Sequence, residues 1–288
     1  MGLNINSLRF LLGLQEQGIP FGRVLMIGRQ SLAVTPGDIR TLLKRRWSEP
    51  SQTTLRRLTT GSNVYAEQFF ELCGATRVDS MDKTSYEGAT VAHDLNLPIP
   101  QTLVGAYDLI VDGGSIEHIF NIPMAIRNYM AMLSVGGHYV CNTATNNYSG
   151  HGFYQLSPEF FYAAFGPENG FSLLDAYLYE ENGRNRWYRL RPPADAARRM
   201  TFQNCVPAHL LILARKSADT EVFAQAPQQR MYHAAWTDGS VPGRAVDAGF
   251  RRALFERLSR MPARIMWPIL NGWNVVNRFR GDLFTRED

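Results

Sequence analysis

The sequence of 288 residues predicts an α/β fold: a seven-stranded, mostly parallel sheet with helices on both faces, followed by a helical C-terminal extension. Three observations predict it. Short apolar runs of strand length alternate with longer stretches of helical periodicity, the pattern of a parallel sheet with crossover helices. Several of those runs end in an acid or in glycines, the turn chemistry expected at the ligand-facing ends of strands. The alternation stops after Ser217, where an arginine-rich tail begins. The chain therefore divides into a Rossmann-like domain, residues 1–217, and a basic, mostly helical extension, residues 218–288.

The elements follow in order. Residues 8–17 read as a helix broken by Gly18 and Pro20, and residues 23–27 as a strand that meets Gly28. Thr35, Pro36 and Asp38 supply an N-cap, a first-turn proline and a capping-box acid for a second helix. A helix over 65–73 stops at Gly74. Strands are expected at 76–81, 90–93, 107–111 and 137–143, with a helix before the last that runs through Met132. Ser157, Pro158 and Glu159 open another helix, and strands at 171–179 and 209–214 flank an insert that reads as irregular around Pro192 and Pro193.

Composition bounds the function. A hydrophobic fraction of 45% with 19% charged residues is that of a folded soluble chain. No apolar run reaches the roughly 18 residues of a membrane span, and no signal-peptide order is visible, so a cytoplasmic protein is expected. Cys73, Cys141 and Cys205 are too few and too scattered for a disulfide framework or a thiolate metal site. The six histidines are dispersed, and no metal site is expected. Eight arginines from Arg244 to Arg280 face only Asp247 and Glu256, a local +6 against +4 for the whole chain, which leaves the remainder at −2 and argues against nucleic acid. Apolar residues at 250, 254, 258 and 261 beside that arginine stripe form an amphipathic helix, suited to docking or a homodimer first and peripheral contact with an anionic membrane second.

The chemistry gathers at strand ends. Ile27-Gly28-Arg29-Gln30, then Asp94-Leu95-Asn96, then Asp112-Gly113-Gly114 followed by Glu117-His118, are acids, amides and an imidazole delivered where an open parallel sheet binds ligands. The series resembles the class I S-adenosylmethionine (SAM)-dependent methyltransferases over residues 20–215, and in particular a bacterial branch that uses Gly-Arg-Gln in its first loop. Met26, Gln30 and Leu32 stand where the usual loop has an acid and two glycines. The resemblance implies SAM as cofactor, held by Gly28, Arg29 and Gln30, with Asp82 on the ribose, Asp94 and Leu95 on the adenine, and Asp112 beside the methyl group. Asp79 is a second candidate for the ribose acid. A dinucleotide oxidoreductase would need Gly-x-Gly-x-x-Gly at the first helix, which is missing.

On the substrate side, His118 is the general-base candidate, because imidazole titrates near neutral pH. Glu117 stands beside it as a first-turn acid. The segment 142–155 mixes amides, hydroxyls, His151 and aromatics in one loop, which suits a small-molecule or saccharide acceptor through Asn146, His151 and Tyr154. His151 and Asp112 complete the catalytic set with His118. The expected activity is O- or N-methylation of a small or glycan-like acceptor. The other class is a non-catalytic methyltransferase-like binding or structural module, which the altered first loop would suit.

Overall fold

The computed structural model describes residues 2–47, 51–59, 64–181, 186–192, 202, 204, 206–239 and 284–287. In chain order the elements are β1 (Gly2–Leu3), α1 (Ile5–Glu16), β2 (Arg23–Ile27), β3 (Ser31–Leu32), α2 (Pro36–Trp47), α3 (Gln52–Thr59), α4 (Glu67–Leu72), β4 (Arg77–Asp82), β5 (Val91–Ala92) and β6 (Tyr107–Asp112). There follow α5 (Ile122–Met132), β7 (Leu133–Asn146), α6 (Pro158–Ala164), β8 (Phe171–Glu180), β9 (Trp187–Leu190), β10 (Ala208–Lys216), α7 (Arg230–Asp238) and β11 (Phe284–Glu287).

Helix starts follow local chemistry. The Asn4 side chain accepts from the backbone N–H groups of Asn6 and Ser7, which moves the start of α1 ahead of the expected residue 8. Thr35 and Asp38 exchange hydrogen bonds as a capping box at α2. Ser157 caps α6 with Pro158 in its first turn.

One nine-stranded sheet runs in the order β11-β9-β8-β10-β7-β6-β2-β4-β5, and β1 pairs with β3 apart from it. From β5 to β7 the neighbours are parallel, and β10 is antiparallel to both β7 and β8. Numbered in chain order, the seven expected strands lie as 3-2-1-4-5-7-6: a doubly wound parallel half, extended by an antiparallel strand pair.

Two strands exceed the seven. The excursion after β8, expected to be irregular, contains β9, which pairs antiparallel with β8. Trp187 anchors it, with its indole N–H donating to Asn6 Oδ1 at 2.8 Å and its ring on Phe10. β11 then pairs with β9 and covers an edge whose backbone groups would otherwise be open. The extension is therefore not helical throughout. Its described helix is α7, with Met231 and Ala234 buried and the Arg230 N–H donating to Glu159. The arginine-rich amphipathic segment, with the docking, homodimer and membrane readings attached to it, lies outside the described residues. No helix among the described residues is long and apolar enough to cross a membrane.

Both faces of the sheet are buried, and side chains alternate between two cores as the pleat dictates. Leu25, Ile27, Ile110, Tyr139, Cys141, Leu210 and Ile212 face the core shared with α5 and α6. Val24, Met26, Leu109, Val111, Val140, Leu211 and Leu213 face the core shared with α1 to α4. These helices on both faces leave the carboxyl ends of β2, β4, β6 and β7 at one rim.

Candidate active site

At that rim a cavity of about 190 Å³ is lined by Gly28, Asp82, Asp94, Leu95, Ser115 and His118, among others. Gly28 follows β2 with φ +69°, a conformation few side chains adopt, and its N–H donates to the Met81 carbonyl at 2.7 Å. Asp82 ends β4, half-buried, and accepts from the Lys83 N–H at 2.6 Å. Asp94 follows β5 and is held by both nitrogens of Asn96 (3.0 and 2.7 Å), with Lys83 Nζ 3.1 Å away. Those hydrogen bonds, with the ammonium of Lys83 adding to them, lower its pKa to about 2. Leu95 is buried at the floor. Asp79 takes no part at this cavity: it accepts from Tyr107, Thr90 and Arg77 beside β4.

The other expected cofactor residues lie elsewhere. Arg29 turns away from the cavity, with its guanidinium over Tyr65 at 4.0 Å, paired to Glu67 at 2.7 Å and donating to the Glu87 carbonyl. It clamps the 83–88 loop. Gln30 is wholly buried, and its amide donates to the Ile27 carbonyl and the Ser115 hydroxyl. Its side chain packs so close to Gly113 that an added Cβ there would meet Oε1 at 2.6 Å. Asp112 is also fully buried. One of its oxygens accepts from the N–H groups of Gly114 and Ser115, at 3.1 and 2.7 Å, and the other from Tyr129 at 3.2 Å. Burial, with the Glu117 carboxylate nearby, raises its pKa to about 7. Asp112 thus shapes the glycine turn from inside and does not face the cavity as expected of an acid beside the methyl group.

His118 does line the cavity, but from a 3₁₀ turn, Ile116–His118, that precedes α5 rather than from within that helix. It is exposed on its other side, where its ring meets that of His151 at 5.0 Å. The meeting is fixed by the backbone. The N–H groups of Phe153 and Tyr154 donate to the Glu117 carbonyl (2.9 and 3.3 Å), and an added Cβ at Gly152 would lie 2.8 Å from that oxygen. Glu117 itself is buried; Oε2 accepts from Thr143 at 2.9 Å, and Oε1 lies 3.8 Å from His151 Nε2.

Around this pair the loop after β7 and the segment before α5 build an aromatic wall. Phe120 and Phe153 are 69% and 66% exposed and meet edge to face at 5.7 Å, and the Tyr154 hydroxyl donates to the Phe120 carbonyl at 2.8 Å. Beyond His151 stands Tyr148, hydrogen-bonded to His209, which also contacts Glu181 at 2.9 Å. Burial lowers the His209 pKa and raises that of Tyr148. Burial acts to raise Glu181 too, but hydrogen bonds from Tyr148 and His209 outweigh it and hold its pKa low. Asn146 is not presented to the cleft: its amide donates to Asn204 at 2.6 Å, and Asn147 secures the same residue.

His209 and Glu181 were not singled out from sequence. The signal that could have found them is the antiparallel pairing of β8 and β10, which sets Tyr179 opposite His209 and the end of β8 beside the start of β10. A larger cavity of about 690 Å³, between α6 and residues 223–229, is walled mainly by apolar side chains such as Pro123, Phe160, Phe223 and Pro227. Its lining includes Arg127 and Glu159 but no imidazole, and it lies away from the strand-end acids.

No protein-family model matches the chain, and no curated protein does. Solved structures do. A Burkholderia thailandensis 1,6-didemethyltoxoflavin-N1-methyltransferase, bound to 1,6-didemethyltoxoflavin and S-adenosylhomocysteine, is 13% identical, over 74% of this chain and 78% of that one, with a TM-score of 0.39. TehB from Haemophilus influenzae is 16% identical, over 72% and 61%, at 0.37. The branched-chain polyamine synthase of Thermus thermophilus is 15% identical, over 78% and 61%, at 0.37. Likeness of this degree leaves function to rest on the site itself, since one fold hosts many chemistries.

Proposed function

We propose that the chain is a SAM-dependent methyltransferase that acts on a small-molecule or glycan-like acceptor by O- or N-methylation. One observation carries the reading. His118 belongs at once to the wall of the strand-end cavity, with Gly28, Asp82, Asp94 and Leu95, and to the imidazole pair bordered by exposed aromatics. On this reading one acid–base group serves both the cofactor cavity and the acceptor surface.

The residues at the cavity fit the cofactor's chemistry. Asp82 and Asp94 are acceptors only, suited to the hydroxyls of a ribose and the amine of an adenine, and the low pKa of Asp94 keeps it ionised. Leu95 supplies an apolar face, and Gly28 lets the backbone approach. At about 190 Å³ the cavity is below the ~300 Å³ at which whole-ligand pockets begin, so it suits the nucleoside end with the remainder over the open rim. Arg29 and Gln30 act behind the loop, fixing its shape. Bound SAM would supply an electrophilic methyl group on sulfur. His118 would then accept a proton from the acceptor, which would lie against Phe120, Phe153 and Tyr154, with His151 as a further polar contact.

Calorimetry with SAM and with S-adenosylhomocysteine tests the reading. Binding of both is expected. Absence of binding by either at millimolar concentration would sink it and leave a non-catalytic module.

A further inference from the structure

Among the described residues, Glu117, His118 and His151 bring one carboxylate oxygen and two imidazole nitrogens within 4.8 Å of one another. We propose that these three side chains bind a single divalent cation of the zinc class and present its open positions to the acceptor. The cation site stands without methyl transfer; within the proposed function it would take the place of His118 as proton acceptor, because an imidazole that gives its acceptor nitrogen to a metal no longer serves as the base.

The donor set selects the ion. Two imidazoles and one carboxylate suit zinc and its first-row neighbours, whereas magnesium and calcium take oxygen ligands. Three protein ligands with a vacant fourth position are the arrangement of catalytic rather than structural zinc. The distances are close to what binding needs. Zinc–ligand bonds of 2.0–2.1 Å place tetrahedral ligand atoms about 3.3 Å apart, and Glu117 Oε1 already lies 3.8 Å from His151 Nε2. The remaining closure falls on two exposed imidazoles, one of them in a loop flanked by Gly150 and Gly152.

Two features show a built site. The backbone of 153–154 is hydrogen-bonded to the Glu117 carbonyl, so the loop carrying His151 is held against the turn carrying His118. Thr143 donates to Glu117 Oε2 from a fully buried position and orients the carboxylate so that Oε1 faces the imidazoles, the part an outer partner plays for a ligating group. The cation would supply the buried carboxylate with a counter-charge. A hydroxyl of the acceptor could occupy the open position: its oxygen–metal bond forms, its proton passes to water, and the resulting alkoxide is the nucleophile.

The test uses the untagged full-length protein. Cobalt(II), titrated as a spectroscopic stand-in, should give a visible d–d band that saturates at one equivalent and is displaced by zinc. His118→Ala, His151→Ala and Glu117→Gln should each weaken cobalt by more than the roughly 10–100-fold that loss of an outer partner costs. His233→Ala, on the exposed face of α7, should bind as wild type. No saturable band in wild type, or undiminished binding in both histidine variants, would overturn the proposal. If Glu117→Gln fails to fold, His118→Ala decides, since that side chain is exposed. SAM calorimetry on the same samples keeps the two readings apart: cobalt without SAM defeats methyl transfer alone, and SAM without cobalt defeats the cation alone.

Discussion

The two rims of the parallel sheet use acids in opposite ways. At the amino-terminal rim, Asp108 accepts from the backbone N–H, Nε and Nη2 of Arg23 at 2.9, 3.0 and 2.9 Å, and from the Ser134 hydroxyl at 2.9 Å. Its pKa is lowered to about 2, chiefly by the Arg23 hydrogen bonds, and nothing remains for a ligand. At the carboxyl-terminal rim, Asp82 and Asp94 line a cavity, and Glu117 points one oxygen at two exposed imidazoles. A network closed on itself holds strands together, whereas one that ends at open space can take a guest. Replacements at one rim should therefore cost stability, and at the other function.

The largest effect is expected at His118. His118→Asn should lower turnover by about 10²–10⁴, the usual contribution of a positioned acid–base group, while SAM affinity and melting temperature stay near wild type. Normal turnover in the folded variant would remove His118 from the chemistry and blur the contrast between rims.

Next comes the strand-end cavity. Asp82→Ala and Asp94→Ala should each weaken SAM by roughly 1.5–3 kcal/mol, the scale of a hydrogen bond to a charged group. Calorimetry on samples matched by circular dichroism measures it. Unchanged affinity in both variants would mean that the cavity is not the nucleoside site.

The contrast also marks what was legible in the sequence. Strand runs such as 23–27 and 107–111 were readable because all but one residue of each is apolar, as in a strand buried on both faces, and Ser157-Pro158 announced α6 by capping chemistry alone. β9 was hidden, because its stability comes from Trp187 reaching Asn6 and from β11, contacts across more than ninety residues that no local pattern carries. The same limit applies to the candidate site. Asp82, Asp94 and His118 were singled out by their position after strands, and they line one cavity. Asp112 and Gln30 have the same kind of address but point inward, since strand position fixes a residue's height on the sheet and not its side chain's direction. The Glu117–His118–His151 group escaped because a loop closure, not a spacing, assembles it.

The smallest effect, and the sharpest test of the contrast, lies at Asp108. Its pKa is about 2 in the folded chain and about 3.9 when unfolded. A depressed acid stabilises the fold above its unfolded pKa and loses that contribution as pH falls through the folded value. The full shift would be worth about 2–3 kcal/mol, but Arg23 and Asp108 are 42% and 33% exposed, and solvent screening reduces this to about 1–2 kcal/mol. Asp108→Asn keeps the shape and removes the charge. Urea unfolding should show the variant less stable by that amount at pH 7, with the gap to wild type narrowing between about pH 4 and pH 2. SAM affinity and turnover should not change. A variant as stable as wild type at neutral pH would deny the amino-terminal rim its structural role, and one that lost SAM binding while folded would erase the distinction between the rims.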